Sequence, residues 1–116
     1  MFKSVEYRDF EGCPQLQSVA QKATRLLSGE VRSWRKDVVV IWQNTSNAKM
    51  PLELRLELAL ENGVAASAHG AFQTDEILDD DNLRSRGRRI WVELLDQIIE
   101  KLMVRVKASL EIPLEV

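Results

Sequence analysis

The side chains best equipped for covalent or metal chemistry are few and widely separated. There is one thiol, Cys13, and one imidazole, His69, far apart in the chain. A cysteine nucleophile needs a base within hydrogen-bond reach, and nothing in the spacing supplies one. Cys13 is therefore expected to be a small residue just before a helix, and His69 an exposed strand residue. The run Asp79-Asp80-Asp81 invites a cation, but adjacent side chains diverge and no loop of calcium-binding spacing surrounds them. Its expected place is a helix N-terminus, where negative charge suits the dipole. With no glycine-rich phosphate loop and no metal-ligand spacing, the expectation is a protein that is not an enzyme and carries no cofactor.

The densest positive cluster is Leu83-Arg-Ser-Arg-Gly-Arg-Arg89, which holds Arg84, Arg86, Arg88 and Arg89. Guanidinium forks match phosphate oxygens, so one reading is contact with a nucleic acid. The other is a surface neutralised by the aspartates just before it, or turned toward a protein partner. Composition leaves both open. The formal net charge of -2 removes the global signature of a nucleic-acid binder, but net charge is a sum and not a map.

A chain of 116 residues, 45% apolar and 29% charged, is expected to form one domain with its own core. The single cysteine forbids an internal disulfide and suits a reducing compartment. Phe2 to Phe10 is charged throughout, unlike a secretion signal, and no apolar run approaches the ~20 residues of a membrane span. A cytoplasmic location is the expectation.

The elements follow from periodicity. Phe2 to Arg8 alternates loosely and predicts a first strand. Pro14 suits the first helical position, and Leu16, Val19, Ala20, Ala23, Leu26 and Leu27 form one stripe that Val31 and Trp34 continue. The phase survives Ser28-Gly29, so the helix is predicted to run to about Trp34. Val38 to Trp42 is β-branched and aromatic, a buried strand. Leu52, Leu54, Leu56, Leu58 and Leu60 alternate with mostly charged residues, a strand with one dry face. Residues 74–83 form an acidic connector. From about Leu83 to Leu110, Trp91, Leu94, Leu95, Ile98, Ile99, Leu102 and Val106 line one side of a long helix, and residues 111–116 are a tail after the 1–110 domain.

The turn at Asn62-Gly63 decides which side of the fourth strand is dry. A two-residue turn would place Ala66 and Ala68 with the charged residues of the preceding strand. A three-residue loop, Glu61-Asn62-Gly63, sets Leu60 opposite Val64 and puts Val64, Ala66 and Ala68 on the leucine face. The apolar pattern selects the three-residue loop, with Gly63 left-handed. Small residues on an inner face mean that something bulky crosses close above them. The predicted fold is α+β, β-α-β-β-β-α, a four-stranded sheet with two helices packed on one face.

This order, the stretch Gly63-Val-Ala-Ala-Ser-Ala-His-Gly70 and the stretch Leu95-Asp-Gln-Ile-Ile-Glu-Lys-Leu102 resemble the bacterial ribosome hibernation-promoting factors and ribosome-associated inhibitors. His69 stands where that family commonly has glutamate, and the connector is longer than the family's. The resemblance implies binding to the small ribosomal subunit and its RNA, silencing translation under stress through lysines and arginines on the outer helix faces. Lys101 matches the family's second-helix lysine, Lys22 and Arg25 fall in the first helix where basic residues are usual, and Arg105 and Lys107 lie near its basic stretch. The competing expectation is a protein-interaction module or homodimeric adaptor of the same fold, pairing through the sheet face that carries Glu53, Arg55, Glu57, Glu61 and His69.

Overall fold

A computed structural model describes residues 2–32 and 34–111, with side chains as far as Ala108. The elements are β1 (Ser4–Arg8), α1 (Pro14–Glu30), β2 (Val38–Asn44), β3 (Leu52–Ala59), β4 (Ala65–Phe72), α2 (Thr74–Ile77) and α3 (Asp80–Glu111). The four strands form one sheet in the order β1-β2-β3-β4. β1 runs parallel to β2 through the α1 crossover, and the other two pairings are antiparallel. This is the α+β arrangement that the sequence predicts, with α1 and α3 packed on the sheet.

The inner face can be read row by row. Val38 pairs with Leu58 and Leu58 with Ala66; Val40 pairs with Leu56 and Leu56 with Ala68; Trp42 pairs with Leu54 and Leu54 with Gly70. Each row is bulky on β2 and β3 and ends small on β4, where α3 lies over it. Ile90, Leu94 and Ile98 of α3 are buried in the same core, each contributing roughly 1.5–3 kcal/mol by leaving water. The closest approach is at Gly70, where a Cβ would come within 2.9 Å of Ile90 Cδ1.

The Glu61-Asn62-Gly63 loop forms as predicted. Leu60 N–H donates to Val64 O at 2.7 Å and Gly63 N–H to Leu60 O at 3.0 Å. Gly63 has φ +84, a conformation that costs glycine little and other residues more. Val64, Ala66 and Ala68 are consequently buried.

α1 is seated on β2 by a polar contact inside the apolar one. Trp42, 1% exposed, donates its indole N–H to Thr24 Oγ1 at 2.8 Å. Thr24 in turn donates to Ala20 O at 2.8 Å. Cys13 occupies the position before Pro14 at the start of α1, as expected of a small residue there.

Two helix boundaries differ from the sequence reading. The first helix ends at Glu30 rather than near Trp34, because Ser28-Gly29 weakens the helix. The apolar phase survives without it: Trp34 N–H bonds to Val31 O and Asp37 N–H to Trp34 O, and this chain of turns keeps Val31 buried. The last helix begins at Asp80, not Leu83, because Asp79 accepts the Asp81 N–H on its side chain and the Leu83 N–H on its carbonyl. The aspartate run is thus a helix start, as expected. The rest of the connector is largely the single turn α2, closed by a capping box between Gln73 and Glu76. The tail lies, beyond Glu111, outside the described residues.

Candidate nucleic-acid interface

α1 and α3 run side by side in the same direction. Lys22 meets Asp80 at 2.6 Å, Leu27 packs on Gly87 and Glu30 meets Arg88, so contacts advance together along both helices. Their solvent side brings Lys22, Arg25, Arg84, Arg88 and Arg89 into one region, all of them exposed.

The cations there differ in how much charge they have left to offer. Arg88 grips Glu30 with two hydrogen bonds of 3.0 Å. That bond holds the Glu30 carboxyl below the ordinary 4.5 of glutamate, against a smaller opposing effect of burial and with help from the fields of Arg88 and Arg84. It raises Arg88 above its already high value. Arg84 stands 3.8 Å from Asp81, a loose pair one helical turn apart. Lys22 is held by Asp80. Arg25 and Arg89 have no carboxylate partner among the described residues. The arginine cluster is therefore only partly neutralised, and mainly by Glu30 and Glu76 rather than by the aspartates before it.

Arg86 is different. It is half-buried, stacks 5.8 Å over the Phe72 ring and donates to Ala71 O at 2.8 Å. Its Nε lies 3.3 Å from Glu76 Oε2 but off the hydrogen-bonding direction, an ion contact that leaves the buried N–H unbonded. Lys101 and Arg105 also turn inward, donating to Ala65 O and Asn62 O.

These inward contacts share a purpose. Val64 O bonds back to Leu60, so by alternation the carbonyls of Ala65 and Ala71 point to the free edge of β4. Lys101 and Arg86 cap that edge at its two ends, which protects an open strand from pairing with another chain. Lys107 is exposed near the far end of α3, remote from the α1–α3 surface, and has no ion partner among the described residues.

The sequence reading passed over the cations that follow α1. Arg32 and Lys36 are exposed, and Arg35 donates to Ser28 Oγ at 3.2 Å. They add cations to the turns that follow α1, and the signal was available in Val31-Arg-Ser-Trp-Arg-Lys36. On the opposite, open face of the sheet His69 is exposed across from Arg55. Ile41 is sheltered there between Glu6 and Arg55. Among the described residues no group of three His, Cys, Asp or Glu could hold a metal ion, and no helix is long and apolar enough to cross a membrane. Comparisons of this chain with protein-family profiles, with characterised proteins and with solved structures gave no match.

Proposed function

We propose that this protein is a non-enzymatic, ribosome-associated translation inhibitor of the hibernation type, acting in the cytoplasm and docking on small-subunit RNA through the outer faces of α1 and α3. The observation that carries the reading is the side-by-side course of the two helices, which gathers Lys22, Arg25, Arg84, Arg88 and Arg89 on one exposed surface, Arg25 and Arg89 having no ion partner among the described residues. Such cations recognise phosphate and position a protein on RNA without reading its sequence. Arg32 and Lys36 extend the same footprint. The resemblance in element order and in the fourth-strand and last-helix stretches supports ribosomal RNA as the particular target.

The test is cosedimentation with purified small subunits at low and rising salt. The expected result is binding at low salt that falls as salt rises, and its loss on Arg25→Glu with Arg89→Glu. These two positions are chosen because reversing Lys101 or Arg105 would also release the β4 edge and the hairpin loop. Failure of the wild type to bind at low salt would sink the proposal and favour the second reading, a protein-interaction module. That reading draws its support from the apolar residues exposed along α3.

A further inference from the structure

α3 carries an apolar stripe that its own fold leaves uncovered. Val92, Ile99, Met103 and Val106 are 46%, 57%, 59% and 51% exposed. Their spacings of seven, four and three place them on one side of the helix. The other side is occupied, since Ile90, Leu94 and Ile98 are buried against the sheet. α1 ends at Glu30, abreast of Arg88, so it does not extend over the later turns of α3.

The charges beside the stripe say what kind of surface would cover it. Arg89, Asp96, Glu100 and Lys107 are exposed and follow the spacing of a single flank, in which Arg89 precedes the stripe, Asp96 and Glu100 lie beside its middle and Lys107 lies toward its end. Lys101 and Arg105 do not disturb this order, because both are held on the opposite side by the Ala65 and Asn62 carbonyls. In an antiparallel helix pair like flanks face each other head to tail, whereas in a parallel pair each flank meets the partner's opposite flank. The opposite flank here holds the half-buried Leu95 and Leu102, which offer Asp96 no cation.

We propose that α3 pairs antiparallel with α3 of a second copy of this chain, burying the stripe and setting Asp96 beside the partner's Lys107. One register satisfies both chemistries. It places Ile99 on the partner's Met103 and, by the two-fold axis, Met103 on the partner's Ile99, while the Asp96–Lys107 contact occurs twice. This reciprocity is what an isologous interface requires, and it selects a second copy over an unrelated helix. The sheets then lie on the outside of the pair. The inference is independent of RNA binding and is tested without RNA.

The experiment is sedimentation velocity on the full chain over a range of concentrations, with thermal melts of each variant. The wild type is expected to pass from monomer to dimer. Ile99→Glu, at an exposed site, is expected to weaken the dimer by at least about tenfold while leaving the melt of the monomer unchanged, since the change enters the interface twice. Val106→Glu, farther from the core, replaces it if that melt shifts. Asp96→Lys and Lys107→Asp should each weaken the dimer several-fold, and the double variant should restore it. A wild type that remains monomeric up to hundreds of micromolar would overturn the proposal, as would a dimer indifferent to Ile99→Glu and Val106→Glu. A double variant that fails to recover would overturn the antiparallel register.

Discussion

Thr24 and Glu30 show how single side chains tie the layers together. Trp42 is buried to 1% exposure and its indole N–H has Thr24 Oγ1 as acceptor. Thr24→Val keeps the shape and removes the acceptor, stranding a buried donor at a cost of about 1–3 kcal/mol. Urea unfolding should show a lower midpoint at unchanged slope. Glu30 makes a different case. Its folded carboxyl titrates below the usual glutamate value because Arg88 hydrogen-bonds it. A lowered folded value adds stability that is fully present above the ordinary glutamate range and is lost as pH falls through the folded value. Arg88→Ala should therefore lift the Glu30 titration, followed by NMR, back toward 4.5. It should also flatten stability only on the acid side of that range. The pair is exposed enough to solvent that its effect on the melting temperature at neutral pH will be small.

Among the elements, β4 is the one whose identity rests on what lies above it. Between the buried Val64 and Phe72 its inner positions are the small Ala66, Ala68 and Gly70, because α3 crosses there, and Gly70 stands closest to Ile90. Gly70→Val forces side chains apart at that crossing and is expected to destabilise by about 1–3 kcal/mol, measured by thermal melting. A melting temperature within error of wild type would mean that α3 does not press on β4. The alternation of β3 and the shrinking residues of β4 were enough to fix the hairpin register and the covered face before any coordinates. The helix ends were less legible. α1 and the turns after it keep one apolar phase across Ser28-Gly29, so periodicity could not separate a helix from a chain of turns. Asp79, the cap that starts α3, reads in sequence as one of three equal aspartates.

At the scale of the molecule, dimensions of 63 × 25 × 23 Å reflect one helix of 32 residues, about 48 Å long at the usual rise, outreaching strands of at most 8 residues. The two proposed surfaces divide this length between them. In the proposed arrangement the cations of α1 and of the first turns of α3 would face RNA, and the later turns would face a second copy. A net charge of -2 makes any phosphate contact local, so the salt dependence of ribosome binding should be shallow. Each cation that contacts a phosphate adds about 0.7–0.9 to the slope of log affinity against log salt. The double variant Arg25→Glu with Arg89→Glu should therefore lower that slope by about 1.4–1.8 wherever its binding is still measurable. An unchanged slope would move the contact elsewhere.

The sequence by itself determined the order of elements, the dry and wet faces of the sheet and the need for a helix close over β4. Those follow from periods of two and of about 3.6 residues, which are local. Only the tertiary structure decided which cations face water. Arg86, Lys101 and Arg105 look like their neighbours in the chain, yet they cap carbonyls at the β4 edge and the hairpin loop. Arg25 and Arg89 have no ion partner among the described residues. A side chain's partner depends on residues brought near it from elsewhere in the chain: Glu30 meets Arg88 and Lys101 meets Ala65 only after α3 has settled across the sheet.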